Sequence, residues 1–339
     1  MADGQYAGKL GLRSYAGHAA AVIGMRVRVL VIVLIALVAA CAVLVGVNLW
    51  LTRTSEIAHP PLGEIAYIGG LRVHYLDRGK GTTIVLIHGA NGALQDFTAT
   101  IFDQLAEQYR VIAIDRPGHG YSERPDGPVP VDLQAAMLQR LLAHLGVDRP
   151  VVVGFSFGAA VALAHALNYP DKTAALVTLA GAAYEWPLAI NWKWRIPTWP
   201  FIGGSVADNL PQVIGRMIRS AAVRSAFHPD PVAQQYDNAP YGLMLRPVSF
   251  RANAADIRNL KSFLRSQSPR YPELEVPLVI LAGDGDRVVS NRVHSLRLHA
   301  EVPNSELKLV PAAGHLLPYS RPEDVIAAIE RGVARGYSR

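Results

Sequence analysis

Residues 151–167 read VVVGFSFGAAVALAHAL: three β-branched valines run into Gly154-Phe155-Ser156-Phe157-Gly158 and then into an alanine-rich stretch of helical character. A strand that meets a helix at G-x-S-x-G is the setting in which a serine stands at the apex of a sharp turn, with glycines leaving room for the chain to fold back. Ala159 and Ala160 continue the small-residue requirement. A serine hydroxyl is a poor nucleophile at neutral pH, so it needs a neighbouring base and donors for a developing oxyanion. Ser156 is therefore either such a nucleophile or a small polar residue at a turn. The five-letter pattern does not choose between them.

Outward from this stretch, short apolar runs alternate with helix-length segments. The runs at 71–76, 83–87, 110–114, 151–153, 175–179, 278–281 and 306–310 read as strands, and 132–145, with leucines at 133, 138, 141, 142 and 145, reads as a helix. Such β-α alternation predicts a mostly parallel sheet flanked by helices, and strands apolar throughout suit a sheet covered on both faces. Between about 183 and 274 the alternation breaks. This region holds four of the five tryptophans, Trp186, Trp192, Trp194 and Trp199, with helical patterns near 210–222 and 254–265. It reads as a helical cap inserted at a strand end, where loops overhang the ligand crevice. Its aromatics are expected to form a small core of their own, or an apolar wall facing substrate or membrane.

A base must come from the 11 histidines. His315, in Pro311-Ala312-Ala313-Gly314-His315, follows the last strand on a small-residue loop that can place an imidazole over the crevice. His88 and His119 sit on glycine-flanked turns and read as structural. An imidazole that takes a proton also needs a carboxylate to fix its tautomer. Asp284 and Asp286, in Leu281-Ala282-Gly283-Asp284-Gly285-Asp286, both lie just past a strand.

Taken together, residues 62–335 resemble the α/β-hydrolase family. The resemblance rests on His88-Gly89, on Asp115-Arg116-Pro117-Gly118-His119-Gly120-Tyr121-Ser122, on Gly154-Phe155-Ser156-Phe157-Gly158, on Gly283-x-x-Asp286 and on Gly314-His315, all in the family's order. It implies a catalytic triad of Ser156, Asp286 and His315, and it selects Asp286 over Asp284 by the spacing from Gly283. It further implies an oxyanion hole from the backbone N–H groups of Ala90 and Phe157, and no metal or organic cofactor. Relatives that act on haloalkanes or epoxides carry aspartate where Ser156 stands, which sets those reactions aside. His88-Gly89-Ala90-Asn91 is also not the HGGG loop of some lipases and esterases.

The N-terminus carries a different signal. Val29 to Leu51 is 23 residues without a charge, enough to cross a hydrocarbon core of about 30 Å as a helix. Lys9, Arg13, Arg26 and Arg28 precede it, which predicts a cytoplasmic tail over 1–28, a transmembrane helix over 29–51 and an extracytoplasmic remainder. The tail lacks apolar periodicity and reads as loosely ordered; 52–61 reads as a linker. Three alternatives stand beside the span: a cleaved signal peptide, with a usually shorter apolar core; a buried core helix, which the length disfavours; and lipidation at Cys41 after Val38-Ala39-Ala40. Cys41 is the one cysteine, which excludes an intrachain disulfide and cysteine-based zinc sites. The net charge is +6, of which the tail, with four cations and one anion, supplies +3; the +3 left makes no case for nucleic-acid binding.

The resulting expectation is a membrane-anchored serine hydrolase that cleaves a carboxylic ester or lactone with an apolar acyl part. The same triad also supports carbon–carbon bond hydrolysis of diketones or amide cleavage, and the fold supports an apolar-ligand-binding module without catalysis.

Overall fold

A computed structural model describes residues 6–187, 199 and 203–338. Contacts divide the chain into two units, one ending at Trp50 and one running from Leu51 to Arg339. Helix α1 (Tyr6–Ala58) fills the described part of the first and contributes its last turns to the second. It is longer than expected at both ends. Residues 6–28, expected to be loosely ordered, and 52–58, read as linker, are helical. The first proline is Pro60, and an isolated glycine costs a helix only about 1 kcal/mol, so nothing stops it earlier. Within it, Gly24–Ala58 is long and apolar enough to cross a membrane.

The second unit begins at Leu51, ahead of residue 62, because the end of α1 packs on it. The Tyr121 hydroxyl donates to the His59 carbonyl at 2.5 Å, and Glu56 pairs with Arg246 at 3.3 Å. Eight strands follow: β1 (Glu64–Ile68), β2 (Leu71–Arg78), β3 (Thr83–Ile87), β4 (Arg110–Ile114), β5 (Val151–Phe155), β6 (Ala175–Leu179), β7 (Leu278–Gly283) and β8 (Ser305–Val310). Their order is β1-β2-β4-β3-β5-β6-β7-β8, with β1/β2 and β2/β4 antiparallel and the rest parallel. Strand β1 was not among the expected strands. It is a hairpin partner of β2 across Gly69-Gly70, whose φ values of 61° and 83° suit a tight turn.

Strand periodicity sends neighbouring residues to opposite faces. On one face Val85, Val152, Leu176 and Ile280 join Leu138, Leu141 and Leu142 of α4 (Val131–His144) and Val161 of α5 (Phe157–Asn168). On the other, Ile84, Val151, Val153 and Val177 meet Phe97 of α2 (Gln95–Thr98), Phe102 of α3 (Phe102–Ala106) and the last helix, 322–337.

Between β6 and β7 the inserted region supplies α6 (Gly203–Asn209), α7 (Pro211–Phe227), α8 (Tyr241–Met244) and α9 (Pro247–Gln267). Trp192 and Trp194 lie outside the described residues. Trp186 is half-buried against the first core face, and Trp199 is exposed. The remaining helices are α10 (Ser295–Glu301), α11 (Leu317–Ser320) and α12 (Pro322–Tyr337). The inserted helices touch the loops at strand carboxyl ends: His315 N–H donates to the Ala226 carbonyl at 3.1 Å, and Asn91 N–H to Asn253 Oδ1 at 2.8 Å.

Candidate active site

Ser156 stands between β5 and α5 with φ 52° and ψ −115°. A non-glycine residue held there costs about 1–3 kcal/mol and persists only where its surroundings fix it. Here they do: Ser156 N–H donates to the Leu179 carbonyl at 2.9 Å, and its carbonyl accepts from Ala159 and Ala182 N–H at 3.1 Å each. The glycines of the motif are a matter of space. A Cβ on Gly154 would fall against the backbone of Gly158 and Ala159, and one on Gly158 against the carbonyl oxygens of Ile87 and His88.

The loop after β8 brings His315 to this turn. Its Nε2 lies 3.0 Å from Ser156 Oγ, and its Nδ1 lies 2.8 Å from Asp286 Oδ2. Asp286 follows β7; its Oδ1 accepts from the N–H groups of Val288 and Val289 at 2.7 and 2.9 Å. With a carboxylate acceptor on one side, Nδ1 carries the proton and Nε2 is free to accept from the serine hydroxyl. Ser156 and His315 are 8% and 5% exposed, so the hydrogen-bonded series Asp286–His315–Ser156 lies largely out of bulk water, where electrostatic effects are stronger. Asp284 is exposed at the end of β7.

The loop after β3 approaches from the other side. A Cβ on Gly89 would lie 3.0 Å from the Ser156 Cβ, so the chain at Gly89-Ala90 passes against the serine. Among the described residues, neither the Ala90 nor the Phe157 N–H has a hydrogen-bond acceptor. Buried Arg116 holds this loop: its Nε donates to the His88 carbonyl and its Nη2 to the Gly89 carbonyl, both at 3.1 Å, while the guanidinium lies 4.2 Å from the centre of the Phe157 ring. Arg116 N–H donates to His88 Nε2 at 2.9 Å, so His88 donates through Nδ1 to the Gly89 carbonyl at 2.8 Å. Burial, followed by the charge of Arg116, keeps the His88 pKa well below its ordinary value and the ring neutral.

Arg116 also pairs with Asp256 of α9 at 2.7 Å, and Asp256 takes Arg124 at 2.7 Å on its other oxygen. A buried ion pair thus ties the inserted region to the loop beside Ser156. Asp96 makes another tie. It accepts from Tyr319 Oη at 2.8 Å and from Ala93 N–H at 3.3 Å, linking the Gly89–Ala93 loop to the helix after His315. Burial pushes its carboxyl up to about 7.

Ser156, Asp286 and His315 were all identified in the sequence, and the structure brings them together. Arg116, Asn253, Asp256 and Asp96 were not singled out as site residues. Arg116 lay inside a quoted motif, but its partner Asp256 is 140 residues away and carries no local signal.

A model of the alpha/beta hydrolase fold matches residues 82–322. An uncharacterized protein of Mycobacterium tuberculosis is 27% identical over 288 residues, covering 80% of this chain and 81% of that protein. The 2-hydroxy-6-oxo-2,4-heptadienoate hydrolase of Pseudomonas putida is 27% identical over 263 residues, covering 75% of this chain and 90% of that enzyme. A solved structure of a membrane phospholipase A, described as a bacterial virulence factor, matches with a TM-score of 0.65 at 23% identity, over 92% of this chain and 99% of that one.

Proposed function

The chain belongs to the α/β-hydrolase fold family, and from that premise we propose that it is a membrane-anchored serine hydrolase of carboxylic esters or lactones with an apolar acyl part. The observation that carries the reading is the hydrogen-bonded relay from Asp286 to His315, 2.8 Å, and on to Ser156, 3.0 Å.

In this mechanism His315 Nε2 takes the Ser156 proton as Oγ attacks the substrate carbonyl carbon. Asp286 holds the ring in the required tautomer and stabilises the imidazolium. The amides of Ala90 and Phe157 receive the oxyanion; in another enzyme the loss of one side-chain donor from such a site costs about 10²- to 10³-fold in turnover. The tetrahedral intermediate collapses to an acyl-serine, and His315 returns its proton to the leaving alkoxide. Water, deprotonated by the same imidazole, then releases the acid and regenerates Ser156.

Anchoring is proposed through the apolar helix, with the N-terminus cytoplasmic and the hydrolase unit outside, following the cations ahead of Val29. The match to a membrane phospholipase A along 92% of this chain supports an ester in a membrane setting. A second reading, hydrolysis of a carbon–carbon bond in a diketone, is favoured by the relative from Pseudomonas putida. Turnover against a series of esters of rising acyl length, with lactones, amides and diketones alongside, separates the two. The ester reading requires ester cleavage that rises with acyl length; diketone cleavage without ester cleavage contradicts it.

A further inference from the structure

Helix α7 has two unlike faces. Gln212, Gly215, Val223 and Phe227 are buried, while on the opposite side Ile214, Met217 and Ile218 are 47%, 79% and 48% exposed. With exposed Ala221 these residues fall at i, i+3, i+4 and i+7, a continuous apolar stripe facing away from the protein. The same helix carries Arg216, Arg219 and Arg224 and no acidic residue. Among the described residues none of these arginines is in an ion pair. Arg219 donates to the Tyr236 carbonyl at 3.4 Å and lies over the Tyr241 ring, on the side of the buried face, while Arg224 is exposed at the flank of the stripe.

The position of α7 is fixed by the end of α1. Arg216 Nη2 donates to Ser55 Oγ at 2.9 Å, and a Cβ on Gly242, in the neighbouring α8, would lie 2.7 Å from the Ser55 Cβ. Ser55 is four residues beyond the apolar run that ends at Leu51.

We propose that α7 lies in the headgroup region of an anionic phospholipid bilayer, its Ile214–Met217–Ile218 stripe among the acyl chains and Arg224, exposed at the flank of the stripe, at the phosphates. An exposed apolar stripe flanked by a cation, on a helix that carries arginines and no acidic residue, is the composition of a helix that lies in a membrane interface. The contact is a second one, additional to the proposed span, and it rests on the reading of 29–51 as membrane-inserted. It would keep the inserted region, and with it the loops around Ser156, at the lipid surface from which an apolar ester is drawn.

The test uses the full chain with Cys41→Ser and one new cysteine, Met217→Cys, Ile35→Cys or Asp148→Cys, each carrying an environment-sensitive fluorophore, in phosphatidylcholine/phosphatidylglycerol vesicles. Asp148 is exposed just ahead of β5, at the amino end of that strand, opposite the carboxyl end that carries Ser156. The expected result is several-fold stronger quenching by spin-labelled lipid at 217 than at 148, weakening when phosphatidylglycerol is left out. Equal quenching at 217 and 148 would overturn the proposal. So would shielding at 217 that disappears when chains are diluted below one per vesicle, because the stripe would then cover a second copy. Quenching at position 35 reports the span separately, and no arm depends on turnover, so failure of the hydrolase reading is seen independently.

Discussion

Helices α5 and α7 are both rich in small and apolar residues, yet they use them in opposite ways. Every residue of α5 from Phe157 to Leu167 is buried, wedged between the sheet and α4. Its first residue offers the N–H beside Ser156, and its second, Gly158, lies against the carbonyls of Ile87 and His88. Helix α7 leaves Ile214, Met217 and Ile218 in the open. Apolarity in α5 packs the turn that carries Ser156 against the sheet; in α7 it is left on the surface. Changes on α5 and its supports should therefore cost chemistry or folding, and changes on the outer face of α7 should cost neither.

The largest contrast is expected at the elbow. Ser156→Ala should lower ester turnover by about 10⁴- to 10⁶-fold, in line with loss of a triad serine elsewhere. Its thermal unfolding midpoint should stay at or above the parent value because alanine removes no packing. Near-normal turnover in this variant, or in His315→Ala, would break the assignment.

Next in size is the clamp behind the elbow. Arg116→Met leaves Asp256 with Arg124 alone, and a buried pair that loses one partner typically costs about 3–5 kcal/mol. Denaturant unfolding should show a loss near the lower end of that range, with turnover falling further than stability accounts for, since the His88 carbonyl loses the Arg116 donor and the Gly89 carbonyl keeps only His88 Nδ1. Gly158→Ala follows. Its Cβ meets two carbonyl oxygens, and overpacking of this kind costs about 1–3 kcal/mol, so a lower unfolding midpoint and reduced turnover are expected together.

A smaller effect should appear with pH. Asp96 holds its proton in the folded chain up to about 7, against an ordinary value of 3.8. Between those values the folded chain binds a proton that the unfolded chain has released, so this carboxyl's contribution is complete below the unfolded value and is lost as pH rises through the folded one. Asp96→Asn removes that dependence. The unfolding midpoint of the variant should gain on that of the parent from pH 4 to 8, and a constant gap would contradict the buried neutral acid. The smallest effect belongs to α7: Ile214→Ser with Met217→Ser and Ile218→Ser should shift stability by no more than about 0.5 kcal/mol, as surface changes usually do, and leave turnover of a water-soluble ester unchanged.

These contrasts also explain what could be read in the sequence. The elbow was legible because a strand, a glycine-bounded serine and a helix are adjacent in the chain, and His315 and Asp286 each follow a strand on a short loop. Parallel topology puts the carboxyl ends of β5, β7 and β8 at the same end of the sheet, so the loops that follow them converge. Strand β1 escaped because its burial alternates weakly over five residues and its evidence is the Gly69-Gly70 turn. The docking of 51–58 on the inserted region escaped too: Ser55–Arg216 and Glu56–Arg246 join residues 161 and 190 positions apart. Partners so distant have no local periodicity to announce them. The same holds for Arg116 and Asp256.

The relay itself is best tested by treating the full chain with a fluorophosphonate and mapping the adduct by peptide mass. One phosphonylated residue is expected, Ser156, with the adduct absent in both Ser156→Ala and His315→Ala. Folded protein that takes no label, or takes it on another serine with Ser156 intact, would rule out Ser156 as the nucleophile.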